Sequence, residues 1–368
     1  MNRQSMRCWS LRLAFFGLFL LAFPTHATAQ GWACAMHESL RSGRSDITMG
    51  VPLKKTVSVE TGPILAPLVG GNGMAYVGTV GKKILAIHLA DGTIAWEFQA
   101  TGSVVVSACV GSGTIYAGCD AGELYALDAK TGTKRWSFVT KAPIRSAPVV
   151  SFGQVIFGCF DRGIYVLDAE TGAKKAVYDL GAPVFGPAAV ERSDLFAETA
   201  SHTVVALDLR TKKTVWSAGT MGGGMGGCAL AGSLVISGTE KGTLEAFNSA
   251  TGKPVWSFKA GDAIRGTPAI GTEIAVVTTM AGKVFAVNIS DGTKRWEVNA
   301  GSAIKGAACL SRSHAFVGTL GGKIFAFELA SGKTAWEEVV NEPIEAMPVL
   351  IDQSLVVGTT KGKVLVFK

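Results

Sequence analysis

From residue 54 onward the chain alternates apolar and polar positions in short runs broken by Gly, Asp and Thr. Residues 143–178 serve as a sample. "PIRSAPVV" alternates and is bounded by proline, "QVIFG" is rich in β-forming residues, "GIYVLD" alternates again, and "AKKAVY" follows a turn. No helical period runs through the segment, so it predicts four short strands. The same segment returns every forty residues. A hairpin glycine stands at Gly92, Gly132, Gly172, Gly252, Gly292 and Gly332, with Lys212 in the remaining slot. Tryptophan stands at Trp96, Trp136, Trp216, Trp256, Trp296 and Trp336, with Ala176 where another would fall. The residue before the turn reads His88, Asp128, Asp168, Asp208, Asn248, Asn288 and Glu328. A second column holds Gly78, Gly118, Gly158, Gly238, Gly318 and Gly358, interrupted by Glu198 and Thr278, and its eight members count eight repeats.

Forty residues per four strands is the spacing of a β-propeller blade. The glycines and the alternation exclude helical repeats, and a β-solenoid needs shorter coils. The expected fold is all-β: an eight-bladed β-propeller of four-stranded antiparallel blades over residues 54–368. The ends agree. "GKVLVFK" stops at Lys368 without a fourth strand, and "KKTVSVE" (54–60) lies one period ahead of "AWEFQ" with no hairpin before it. The N-terminal strand should therefore pair into the C-terminal blade and remove a free edge. Within each hairpin the Asp caps the turn and the Gly takes positive φ. The Trp is placed to fill the gap to the next blade, where it would bury roughly 150–250 Å², worth at most about 4–6 kcal/mol. These motifs are structural.

"ALDAKTGTKRW" (126–136) and its copies resemble the tryptophan-docking repeat of pyrroloquinoline-quinone (PQQ) propellers, and the resemblance covers residues 54–368. It implies one of two branches. Quinoprotein alcohol dehydrogenases hold PQQ and calcium in the funnel, and carry long insertions, a pair of adjacent cysteines and a catalytic Asp. The other branch is non-enzymatic and includes the outer-membrane assembly lipoprotein B (BamB) type, an eight-bladed scaffold. This chain has no adjacent cysteines and only minimal segments between blades. The resemblance therefore implies a scaffold that binds protein partners in the cell envelope, with no catalytic residue, no metal and no cofactor. A small-ligand or PQQ-binding module is the alternative, and a carbohydrate-processing propeller is a third reading.

Charge and the N-terminus add a compartment. Arg3, Arg7 and Arg12 precede an apolar run from Leu13 to Phe23, then Pro24 and Ala27-Thr28-Ala29. This is the pattern of a signal peptide (1–29), and the run is too short to span a bilayer. An uncleaved anchor is the alternative. Residues 30–53 read as a linker. The formal charge is +7; the leader carries three arginines and no acid, which leaves +4. No dense basic stripe interleaved with aromatics supports nucleic-acid binding. The mature chain is expected to be a periplasmic or secreted monomer without a transmembrane segment, able to associate peripherally with an outer membrane. Six cysteines remain after the leader. Cys119 and Cys159 share a repeat column and are the favoured pair for any disulfide. Cys34 lacks a lipobox, since Gly31 stands where an aliphatic residue is needed, and no spacing resembles a zinc site.

Function should sit where the repeat varies. The innermost strands are expected to begin with Leu65, Val105, Arg145, Phe185, Met225, Arg265, Lys305 and Glu345, ringing one channel mouth. Arg145, Arg265 and Lys305 would then form a cationic arc for carboxylate or phosphate groups; a bare solvated rim is the alternative. "TMGGGMGGC" (220–228) lacks the Lys-Ser/Thr and the helix of a phosphate loop. It is expected to expose Met221 and Met225 as an adaptable apolar surface, or to be merely a flexible loop. Glu198 and His202 stand in glycine columns and form a possible secondary site for a metal or a proton, with tolerated drift as the alternative.

Overall fold

The computed structural model describes residues 33–368. The expected leader, and with it Cys8, lies outside the described residues. The described chain folds into eight four-stranded antiparallel sheets arranged as an eight-bladed propeller, with no α-helix among the described residues. Blade 1 comprises the strands Val69–Gly71, Met74–Gly78, Lys83–His88 and Ile94–Gln99. Blades 2 to 7 repeat this pattern over 109–139, 149–179, 189–219, 228–259, 269–299 and 309–339. Blade 8 takes three strands from 349–367 and its outermost strand, Lys55–Glu60, from the other end of the chain. That strand pairs antiparallel with Lys363–Phe367, with Ser58 opposite Leu365 and Glu60 opposite Lys363. The predicted closure is therefore present.

The two inner strands of each sandwich are buried on both faces and the outermost is buried on alternate positions, as in Lys55–Glu60 and Lys294–Asn299. Blades meet through tryptophan. A Cβ on Gly132 would stand 2.6 Å from Cδ2 of Trp96 in the preceding blade, and φ there is +72°, so only glycine fits the turn under the indole. Trp96 Nε1 donates to the carbonyl of Ala129 at 3.0 Å. Trp216, Trp256 and Trp296 repeat the bond to Ser249, Ile289 and Leu329 at 2.8 Å. Asp128 Oδ1 accepts from the amides of Lys130 and Thr131, as the turn-capping reading expects. Where Ala176 replaces the indole, the facing turn of blade 4 carries Lys212 at φ +59°. No ring sits on that turn, so a side chain there meets nothing. Both halves of one contact were lost together.

One element differs from expectation. The innermost strands are only two to four residues long, and begin at Val149, Ala269 or Val349 rather than at Arg145, Arg265 or Glu345. The residues just ahead include Pro67, Pro148, Pro187, Pro268 and Pro348, which lack an N–H for a ladder. Their neighbours bond across blades instead: the amide of Ile144 donates to the carbonyl of Cys119 at 3.2 Å, and that of Ile264 to Thr239 at 3.0 Å.

Deleting residues 54–60 should convert Lys363–Phe367 into a bare edge and open the ring. The variant is expected to aggregate or to lose cooperative thermal unfolding, measured by calorimetry and light scattering. A melting temperature within two or three degrees of wild type would mean that the closure is dispensable.

Candidate functional site

The central channel is closed at one end by residues 33–49. Eight short innermost strands face the axis, and their inner edges would leave amides without partners. The segment passes along them and supplies carbonyls to one repeat column. The amide of Val110 bonds to Ala33, Val190 to Ser39, Leu230 to Leu40, Ile270 to Ser42 and Leu310 to Gly43, at 2.5 to 3.0 Å. Arg41 is fully buried. Its Nε donates to the carbonyl of Ala188 at 2.9 Å and Nη1 to Ala35 at 2.6 Å, while Nη2 reaches Ala147 and Pro148 at 3.3 Å. A planar guanidinium with five donors is the side chain able to tie four carbonyls at once. Nothing in the residue pattern of 30–53 announced this strap. It lacks the forty-residue period, and its bonds go to backbone, which carries no residue-type signal.

Above the strap lies a cavity of about 420 Å³ with Ala35 and Met36 in its floor. All eight predicted ring residues line it: Leu65, Val105, Arg145, Phe185, Met225, Arg265, Lys305 and Glu345. The cationic arc, however, is not free. Arg145 makes a bidentate pair with Asp120 at 2.8 and 3.0 Å. Arg265 holds Glu240 at 3.0 and 3.1 Å, and Lys305 pairs with Glu345. Asp120 and Glu240 come from one further column, the turn between the second and third strands, which folds beside the ring. The arc is therefore a set of ion pairs, not a ready anion site.

The remaining mouth is apolar. The Arg145 guanidinium lies 5.6 Å from the centre of the Phe160 ring, and Phe160 meets Phe185 edge-on at 4.6 Å. Met225 follows on the next blade, 46% exposed at the mouth, while Met221, 57% exposed, stands farther out beside Pro254 and Trp256 of the same blade. Both methionines stand on the surface, as the glycine loop suggested.

That loop and the eroded glycine column turn out to be one feature. In most blades a glycine accepts the branched side chain of the next blade: a Cβ on Gly118 would overlap Ile144, and one on Gly238 would overlap Ile264. Between blades 4 and 5 the sizes are exchanged. Glu198 takes the glycine position, Gly224 takes the isoleucine position, and a Cβ on Gly224 would overlap the Glu198 carboxyl. Glu198 is 2% exposed; Oε2 accepts from Ser237 Oγ at 2.8 Å and Oε1 has no partner. Burial pushes its pKa up to about 8, and Glu245 nearby adds to the rise. Glu245 itself is raised by burial and accepts from the amide of Met221 at 2.9 Å. His202 is exposed on its turn, against Gly223. Among the described residues no three His, Cys, Asp or Glu side chains cluster to hold a metal. Calcium takes six to eight oxygen ligands, whereas Asp120, Glu240 and Glu345 are each engaged by a cation on separate blades. These residues do not fit a metal-held quinone.

The favoured cysteine pair is also revised. All six described cysteines are buried free thiols; Cys119 and Cys159 stand in neighbouring blades, where Cys119 Sγ contacts Thr101 Oγ1 and Cys159 Sγ donates to the carbonyl of Ala142. A shared column places them one blade apart rather than side by side.

A ring of eight four-stranded blades, docked by tryptophan on hairpin glycine, defines a PQQ-repeat β-propeller. The sequence matches the family described as outer membrane protein assembly factor BamB over residues 101–197 and 200–367, and the chain belongs to that family. No curated protein matches it. Among solved structures, the quinohemoprotein alcohol dehydrogenase of Comamonas testosteroni is 16% identical with a TM-score of 0.77, covering 93% of this chain and 81% of its own. A europium-containing methanol dehydrogenase is 13% identical at 0.78, covering 93% and 98%. BamB from Moraxella catarrhalis is 16% identical at 0.50, covering 86% and 98%. At these identities the likeness is one of fold.

Replacing Glu198 by Gln should flatten part of the pH dependence of stability. The folded chain keeps the Glu198 proton up to about pH 8, whereas the unfolded chain loses it near pH 4.3. Between those values the folded state binds more protons, so wild type loses stability as pH rises, by up to about 1.4 kcal/mol per unit from this group, and the loss is complete above pH 8. Denaturant melts from pH 4 to 9 should show the wild-type slope exceeding that of Glu198→Gln; identical slopes would place the carboxyl in contact with water. Gly224→Ile alone should destabilise by about 2 kcal/mol or more, and adding Glu198→Gly should recover much of it, because the pair then matches the other blades.

Proposed function

We propose that the protein is an exported, non-enzymatic scaffold that docks a protein partner of the cell envelope across the open mouth of the funnel. One observation carries this reading: the mouth's charges neutralise each other while Phe185 and Met225 remain presented on two adjacent blades. Aromatic, Met and Arg side chains beside partly exposed ion pairs match the residue types enriched in protein-binding centres. Membership of the BamB family and the leader expected at 1–29 point to the envelope. Among the described residues no helix is long and apolar enough to cross a membrane. Partner contact would place Phe185 and Met225 at the centre, with Arg145–Asp120 and Arg265–Glu240 flanking them.

The alternative, a small-ligand module, is favoured by the size of the cup, since about 420 Å³ lies in the range of small-molecule sites. A photoreactive residue at 185 or 225 separates the two. The scaffold reading expects cross-linking in intact cells to one defined envelope protein from both positions, and none from Val139 on an outer strand. It also expects Phe185→Glu/Met225→Glu to weaken capture of that protein at least tenfold. No cross-link from either position, with saturable calorimetric binding of PQQ to purified protein, would overturn it.

A further inference from the structure

The strap begins with Cys34, and the residue facing it across the innermost strand of blade 2 is Cys109. The two form an antiparallel bridge. The amide of Val110 donates to the carbonyl of Ala33 at 2.5 Å. That bond joins the residue after Cys109 to the residue before Cys34, which makes the cysteines a non-hydrogen-bonded pair of the ladder. Such pairs have Cα atoms about 4.5 Å apart with side chains on one face. A disulfide accepts Cα separations of about 4.4–6.8 Å, so no backbone movement is needed. Both side chains are buried, and each thiol is left with only a long contact to a nearby carbonyl, Cys34 Sγ to His37 at 3.8 Å and Cys109 Sγ to Val110 at 4.0 Å. Among the described residues no other two cysteines face each other across a bridge: Cys228 lies in blade 5 and Cys309 in the core of blade 7.

We propose that Cys34 and Cys109 form a disulfide that fastens the start of the strap to blade 2 and so locks the floor of the cup. The bond rests on the exported reading only for its oxidant, a small-molecule or oxidoreductase disulfide. The Cys34 thiolate attacks that disulfide and releases one thiol of the donor. The Cys109 thiolate then displaces the second donor thiol from the mixed disulfide as the strap docks. Two thiols are oxidised to one disulfide, the donor disulfide is reduced to two thiols, and the two protons lost from the cysteines end on the donor. The neighbouring Cys109 thiol, helped by the positive charge of Arg41, holds the Cys34 thiol below its usual range, which suits it to attack first. A tether between positions so far apart in sequence restricts the unfolded chain strongly.

The test uses purified protein comprising residues 30–368, equilibrated with oxidised and reduced glutathione, denatured, alkylated and weighed. Four alkylated cysteines of six are expected, with a peptide linking Cys34 to Cys109. Cys34→Ser should show five of five, and Cys119→Ser should keep the link. Reductant should lower the melting temperature of wild type by roughly 5–10 °C and leave Cys34→Ser unchanged. Six alkylated cysteines under oxidising glutathione, a linked Cys119–Cys159 peptide, or a lipid adduct on Cys34 in protein from cells would each overturn the proposal. Because the in vitro arm supplies its own oxidant, a failure of the exported reading would not be mistaken for a failure of the bond.

Discussion

The structure depends on how a ring of sheets is held without a common core. Each blade is a thin sandwich that buries its faces only against its two neighbours, so every interface has to be made eight times and the last has to be made across the chain ends. The indole-on-glycine contact does this on the outer side at five of the eight interfaces. It needs a flat, wide side chain from one blade and a turn with no Cβ from the next, which is why the two residues keep one period. On the inner side the difficulty is reversed, because eight strand edges converge and none has a partner. The strap resolves that edge one amide at a time, and in doing so turns a channel into a cup.

Two exceptions to the repeat are informative because each comes as a pair. Ala176 and Lys212 are the two sides of one docking contact, and Glu198 and Gly224 are the two sides of another. A single replacement would have left either a cavity beside a bare turn or a carboxyl driven into a branched side chain. The first exchange removes a contact cleanly. The second leaves a buried carboxyl with one oxygen unsatisfied and frees the adjacent glycine loop to bring Met221 and Met225 to the surface.

The sequence made the fold legible because its physics is periodic: turn chemistry, alternation and docking residues all repeat at forty. The positions of the ring residues were legible for the same reason. Their electrostatics were not, since Asp120 and Glu240 belong to a different column that comes beside Arg145 and Arg265 only when the turn folds over the lead-in. The strap was illegible because backbone accepts its bonds, and Arg41 betrays nothing by its type. Cys34 and Cys109 become neighbours through that same aperiodic segment, so a search by column led to Cys119 and Cys159 instead. The innermost strands came out shorter than the alternation suggested because proline interrupts the ladder where the blades crowd the axis.

What separates a scaffold from a quinone enzyme on this framework is the use made of the funnel's charges. An enzyme of that kind needs carboxylates converging on one point, free to ligate a cation and to take a proton. Here each acid at the mouth is held by a base on its own or the adjacent blade, and the carboxyl with an unsatisfied oxygen is sealed between blades 4 and 5 behind glycine rather than opening into the cup. Ion pairs of this sort contribute little net stability at a surface. Their effect is on shape: they hold Arg145 flat over Phe160 and keep Phe185 upright beside it. The aromatic ledge of Phe160 and Phe185 above a closed floor is the surface on which the proposed docking of a partner side chain rests.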